Sequence, residues 1–131
     1  IWNGEMITMK RKILISINPE HVKNILSGEK KYEYRKIAAK KDVSAIIIYE
    51  TVPTKKIVAE AEILDVIELP PEELWQQTKE ASGITKYFFD KYFEDREVAY
   101  AYKLGRVEVY EEKRELKDYG LRMAPQSFVY I

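Results

Sequence analysis

The chain has 131 residues, 46% of them apolar; this is the size of one ordinary domain, able to bury roughly two-thirds of its unfolded surface without staples, and it excludes wholesale disorder. With no cysteine and one histidine, His21, the sequence excludes disulfides, thiolate metal sites, a cysteine nucleophile and a multi-histidine zinc site. Net charge is zero, yet from Lys10 to Lys41 ten Lys/Arg stand against three acids, and from Asp42 to Ile131 twelve stand against eighteen, so the basic N-terminal third either attracts phosphates or is simply a solvated surface.

No apolar run approaches the roughly 20 residues that span a bilayer, and the first nine residues lack the basic-then-apolar architecture of a signal peptide. A membrane partner is therefore not expected, and the absence of cysteine agrees with a cytoplasmic setting. Residues 1–9 read as an N-terminal extension or a remnant of expression, with Met6 or Met9 as a natural start, and residues 10–131 as a single domain.

In chain order, Ile13 to Ile17 is apolar and β-branched and predicts a buried strand. Asn18 is a good N-cap, Pro19 suits the first helical turn and Glu20 complements the dipole. Val22, Ile25 and Leu26 then share one face of a short helix that Gly28 stops. Lys30 to Lys36 alternates: Tyr32 and Tyr34 point one way, Lys31, Glu33 and Arg35 the other. Residues 38–43 form a charged connection. Ser44 to Glu50 predicts a strand buried on both faces, and Pro53-Thr54 a turn. Ile57 to Ile67 is a long strand with Glu60 and Glu62 on one side and Ala59, Ala61 and Ile63 on the other.

Pro70 to Glu73 opens a second helix with Leu74 and Trp75 as its apolar content, and Ser82-Gly83 interrupts it. Ile84 to Phe93 predicts a third, whose Tyr87, Phe88, Tyr92 and Phe93 have core spacing. Strands follow at Val98–Tyr102 and Val107–Tyr110 on either side of Gly105. A polar connection from Glu115 to Gly120 precedes a last strand at 128–131. About six strands and about three short helices without βαβ alternation predict an α+β fold, a mixed β-barrel rather than a doubly wound sheet.

One stretch goes beyond fold class. Gly28, Lys30, Glu33 and Arg35, directly after the capped helix, stand in a Gly-x-Lys-x-x-Glu-x-Arg pattern. With the strand at Val58–Ile63 and the closing Ala124-Pro125-Gln126-Ser127-Phe128, this resembles the ASCH (activating signal cointegrator homology) domains over residues 10–131. The resemblance implies a PUA-like pseudo-barrel with a helix beside a cleft, and binding of RNA in transcription or translation regulation. In such domains the segment of Lys30, Glu33 and Arg35 lines the cleft.

Physically, Lys30 can meet a phosphate or a base carbonyl, and Arg35 offers a planar fork for either. Glu33 can hold Arg35 or accept from an exocyclic amine. The alternative is an exposed strand pair worth about 0–1 kcal/mol. Tyr34 can stack on a base, as can Tyr32 and Tyr49, or each is half-buried core. Gln126 and Ser127 can supply amide and hydroxyl contacts, or merely turn the chain into its last strand. His21 reads as a surface residue without a role. Glu60 and Glu62 alone make weak cation ligands. No cofactor is implied, and the oligomeric state is not legible.

One branch of the resembled family hydrolyses acetylated cytidine with a Lys, a hydroxyl residue three positions later and a Glu on the helical insertion. Lys30 matches and Glu80 sits where that Glu falls, but Glu33 occupies the hydroxyl position, which removes the covalent route. The expected function is therefore a binding module for RNA or a modified nucleotide through Lys30, Glu33, Tyr34, Arg35, Gln126 and Ser127. The alternatives are a nucleoside amidohydrolase using Lys30 and Glu80, and a protein-interaction domain with an exposed edge strand.

Overall fold

A computed structural model describes residues 10–40 and 42–131. The expected N-terminal extension, residues 1–9, lies outside the described residues. Six strands form one sheet in the order β2-β5-β4-β3-β1-β6. They are β1 (Arg11–Ile17), β2 (Tyr32–Arg35), β3 (Val43–Glu50), β4 (Lys56–Leu69), β5 (Ala99–Arg114) and β6 (Phe128–Tyr130). The helices are α1 (Pro19–Ser27), α2 (Pro71–Thr78) and α3 (Lys86–Tyr92), and short 3-10 turns cover Lys79–Ala81 and Leu116–Tyr119.

The sheet is mixed, as the missing βαβ alternation predicted. β1 runs parallel to β3, and the other neighbours are antiparallel. Between β4 and β5 the register shifts near Ile57/Ala59, Ala61/Ile63 and Ile63/Asp65. Such irregularities bend a strand and increase its twist, and the sheet curls into a half-barrel. The concave side holds the main core, where Ile13, Ile15, Ile17, Ile46, Ile48, Ala59, Ala61 and Tyr102 pack against Val22 and Ile25 of α1. A second cluster lies under α2 and α3, built from Tyr34, Leu74, Phe89, Phe93, Ala99 and Ala101. A third gathers Leu14, Ile47, Tyr49 and Ile57 beneath residues 110–129.

The start of the chain follows its local signals. Asn18 Oδ1 accepts the Glu20 N–H at 3.2 Å, Pro19 opens the helix, and Gly28, at φ +87°, returns its N–H to the Ile25 carbonyl. Leu26 departs from expectation. It is exposed because Val22 and Ile25 alone meet the sheet.

Two other expectations need correction, and a third gains a defined geometry. The strands predicted on either side of Gly105 are one continuous strand, β5. Here the register shift sets Gly105 and Arg106 against Glu62 alone, and Glu62 Oε1 accepts the Arg106 N–H at 3.1 Å, so the strand bulges rather than turns. The third helix begins at Lys86, not Ile84, because Thr85 is its N-cap and accepts the Phe88 N–H at 3.1 Å. That phase puts Phe89 and Phe93 in the core and leaves Tyr87 and Phe88 exposed. The polar connection after β5 closes as a 3-10 turn with a reciprocal capping box between Glu115 and Asp118.

Candidate functional site

The site begins at the seam between α1 and β2. The Lys30 N–H donates to the Asn24 carbonyl at 3.0 Å, and Lys31 N–H donates to the Ala81 carbonyl at 2.8 Å. The Lys31 carbonyl accepts the Leu104 N–H at 2.9 Å. Three elements thus clamp two residues, and the Lys30 side chain is driven inward. It is 3% exposed, its Nζ donates to the Ser82 carbonyl at 3.0 Å, and the ammonium stands 4.7 Å from the centroid of the Tyr34 ring. Gly83 makes this approach possible. Its φ is +69°, and a Cβ there would run into the Lys30 stem.

Strand β2 is covered on both sides, so the alternation expected from sequence buries both of its faces. Tyr34 packs edge-to-face on Phe89 at 5.2 Å, and its hydroxyl hydrogen-bonds Thr78 Oγ1 at 2.7 Å. Thr78 in turn donates to the Leu74 carbonyl. On the other side Glu33, 4% exposed, takes both Arg35 Nε at 3.0 Å and Arg35 Nη2 at 2.9 Å on one oxygen, Oε2. The same Nη2 reaches the Ser16 carbonyl of β1 at 2.7 Å. An exposed pair of marginal value is therefore not what the structure contains. The pair is a buried, oriented one, in which removing one partner strands the other charge.

These groups face a cavity of about 210 Å³, lined by Lys30, Glu33, Tyr34 and Arg35 together with Ser16, Asn18, His21, Ile84, Phe88 and Tyr92. Burial holds the Lys30 ammonium below its usual pKa, with Glu33 opposing that shift and Arg35 adding to it. Burial also pushes the Tyr34 phenol up to about 12, against the Thr78 hydrogen bond. The cavity can offer donors from Lys30 and Arg35, an acceptor from Glu33 and apolar walls from Phe88, Tyr92 and Ile84. Such a mix fits a planar, polar-edged ligand.

Sequence reasoning assigned no site role to the other six lining residues, of which His21, Phe88 and Tyr92 matter most. His21 is no solvated surface group: its ring packs edge-to-face on Phe88 at 5.4 Å, and its Nδ1 is buried without a hydrogen-bond partner among the described residues. Burial first, then the Lys30 charge, lowers its pKa, while Glu33 and Glu20 oppose. Phe88 and Tyr92, expected as core, are walls of the cavity, with rings parallel within 7° and centroids 6.5 Å apart. The signal that could have found His21 was its place one helical turn before Asn24, whose carbonyl holds the Lys30 N–H.

The other expected residues lie elsewhere. Glu80 is exposed on the 3-10 turn and lines a neighbouring groove, which shares His21, Ile84 and Phe88 with the cavity but does not include Lys30. Gln126 is exposed and Ser127 half-buried, and neither lines the cavity. The tail is nonetheless tied beside it, since Ser16 Oγ donates to the Pro125 carbonyl at 2.9 Å. Tyr49 is core, and Tyr32 stacks on Tyr34 but faces a different groove. Glu60 is engaged by Lys12 and the Tyr110 hydroxyl. Among the described residues no helix is long and apolar enough to cross a membrane.

The residues and the fold both have relatives. The family model of the ASCH domain matches residues 15–112. An ASCH domain-containing ribonuclease of Zymomonas mobilis is 30% identical over 96 residues, a match that takes in 72% of this chain and 65% of that protein. Large ribosomal subunit protein uL22 of Ureaplasma parvum serovar 3 is 27% identical over 120 residues, and ATP synthase subunit alpha of the same organism 24% over 123. Those matches take in 91% and 93% of this chain, which spans only 39% and 15% of the two proteins' own lengths. Among solved structures, ASCH from Zymomonas mobilis superposes with a TM-score of 0.79 at 25% identity, over 92% of this chain and 87% of that one. A serine-to-alanine variant of it superposes with a TM-score of 0.83 at 24% identity, over 95% and 91%.

Proposed function

The chain belongs to the ASCH domain family, and from that premise we propose that it is a binding module for RNA or a modified nucleotide, with Lys30, Glu33, Tyr34 and Arg35 as the contact residues and a role in transcription or translation regulation. One observation carries the reading. Lys30 is an ammonium 3% exposed whose direct partners are one carbonyl and one tyrosine face. A buried cation is costly unless it is paired, and a ligand acceptor entering the cavity supplies the missing partner. The Phe88 and Tyr92 walls suit a base, since stacking on an aromatic ring is worth about 1–3 kcal/mol. The Zymomonas relative named as a ribonuclease agrees with an RNA-related role. Gln126 and Ser127, beside Ser16, would act on chain flanking the bound nucleotide.

The test is fluorescence anisotropy with labelled single-stranded and hairpin RNA across a salt series. Wild type is expected to bind, with affinity falling as salt rises. The Lys30→Ala, Arg35→Ala double variant is expected to lose at least roughly tenfold, since each good contact is worth about 1–3 kcal/mol. A variant that is folded and binds like wild type removes this site from the reading.

RNA cleavage is a second reading, favoured by the buried His21 Nδ1, which has no hydrogen-bond partner among the described residues and lies in the same cavity as Lys30. Two titratable groups side by side suit proton transfer. Intact labelled RNA after prolonged incubation with concentrated protein would exclude it. Amide hydrolysis by Lys30 with Glu80 lacks comparable support, because the two residues do not share the cavity.

A further inference from the structure

A second depression opens beside the cavity, between the end of α1 and the middle of β5. Its volume is about 520 Å³, and its lining includes Leu26, Lys31, Tyr32, Leu64 and Lys103. Lys30 lines both the cavity and this groove. Tyr32 of the groove and Tyr34 of the cavity stack with ring centroids 6.5 Å apart, so an aromatic surface passes from one to the other. A third depression bridges the two along the seam. It has His21, Ile84 and Phe88 in common with the cavity, and Gly28, Lys31 and Ala81 in common with the groove.

The groove is chemically one-sided. None of its lining residues is acidic, in a chain with equal numbers of acids and bases. Lys31 and Lys103 are exposed, and neither makes an ion pair among the described residues. Lys103 lies directly across from Tyr32 in the β2–β5 ladder, which sets cation and ring side by side on one face. Leu26 and Leu64, 38% and 55% exposed, add apolar surface. Gly105 keeps the floor open, because a Cβ there would run into Leu64 and the Glu62 carboxylate. Ammonium groups beside a ring and an apolar floor suit a nucleotide, whose phosphate meets the lysines while its base stacks. The volume lies within the roughly 300–1,000 Å³ of small-ligand sites.

Resting on the reading that RNA binds at the cavity, we propose that this groove is a second nucleotide subsite for the same single strand. One base enters the cavity beside Phe88 and Tyr92. A base held there has left its stack, so the ligand is single-stranded at that point. The strand crosses the seam over Gly28, where a Cβ would meet nothing within 4 Å. A flanking nucleotide then lies in the groove, its base on Tyr32, Leu26 and Leu64 and its phosphates at Lys31 and Lys103. An acidic peptide would also match the lysines, but the continuity of groove and cavity favours a ligand that fills both.

Anisotropy with a labelled single-stranded tetranucleotide and a labelled mononucleotide, across a salt series, tests the proposal. Wild type is expected to hold the tetranucleotide more tightly than the mononucleotide. The Lys31→Ala, Lys103→Ala double variant is expected to lose roughly tenfold on the tetranucleotide at about 0.1 M salt, with a salt slope shallower by about one to two. Its affinity for the mononucleotide is expected to stay that of wild type. The charge-matched control is Lys113→Ala, Lys117→Ala, two exposed positions outside the groove, which is expected to bind both ligands like wild type. Equal tetranucleotide affinity and slope in wild type and the groove variant overturn the second subsite and leave the cavity standing. An equal loss in the control assigns the effect to net charge and overturns it too. Labelled oligo-glutamate that binds wild type but not the groove variant, with RNA binding unchanged, gives the groove to an acidic protein instead. No binding of either RNA ligand to wild type overturns both the subsite and the reading it rests on.

Discussion

His21 Nδ1 is a buried nitrogen with no hydrogen-bond partner among the described residues, an arrangement that costs free energy and is uncommon in folded proteins. The cost has a pH signature. Burial, then the Lys30 charge, sets its folded pKa below the unfolded value of 6.5. Below 6.5 the unfolded chain therefore holds a proton that the folded one has not yet taken, so stability rises with pH through that window and is lost on acidification. Melting temperature is expected to fall between about pH 7.5 and about pH 5.5, and to fall less in His21→Gln. Parallel pH profiles for the two proteins would mean that His21 does not titrate differently on folding.

At the scale of elements, the excursion of α2, the 3-10 turn and α3 is both roof and wall. Leu74 and Phe89 anchor it on the second core cluster, Ser82 receives Lys30, and Phe88 and Tyr92 face the cavity. The hinge of this arrangement is Gly83. An alanine there must adopt a left-handed φ of +69° and displace the Lys30 stem. Gly83→Ala is expected to destabilise the fold by about 1–3 kcal/mol and to weaken RNA binding at the same time. Urea unfolding and anisotropy on the same preparation check this. Lost stability with unchanged affinity would show that the roof does not set the Lys30 position.

At the scale of the whole molecule, a half-barrel must be tied where its chain crosses the open side. Tyr102, fully buried in β5, accepts the Ala39 N–H on its hydroxyl at 2.7 Å and so joins the connection between β2 and β3 to the core. Tyr102→Phe keeps the ring and orphans a buried N–H, which costs about 1–3 kcal/mol. Urea unfolding is expected to show that loss with an unchanged m-value. A stability equal to wild type would mean that another group satisfies Ala39.

What is local could be read along the chain. The Asn18 and Gly28 caps, the buried run of β3 and the alternation of β4 follow from side-chain shape, polarity and backbone freedom within a few residues. The Gly-x-Lys-x-x-Glu-x-Arg spacing likewise marked Lys30, Glu33 and Arg35, which line one cavity. Only the tertiary structure decided what depends on distant partners. Tyr34 is buried because α2 and α3 close over one side of β2, and Arg35 is held inward on the other because its guanidinium reaches the Ser16 carbonyl of β1. β5 runs through Gly105 because β4 pairs on both sides of it and Glu62 takes up the Arg106 N–H at the bulge between. Phe88 and Tyr92 became walls because a Thr85 cap shifted the phase of α3. His21 joined the cavity because residue 88 packs on residue 21, a contact whose free energy is set by through-space proximity and leaves no periodicity to read along the chain.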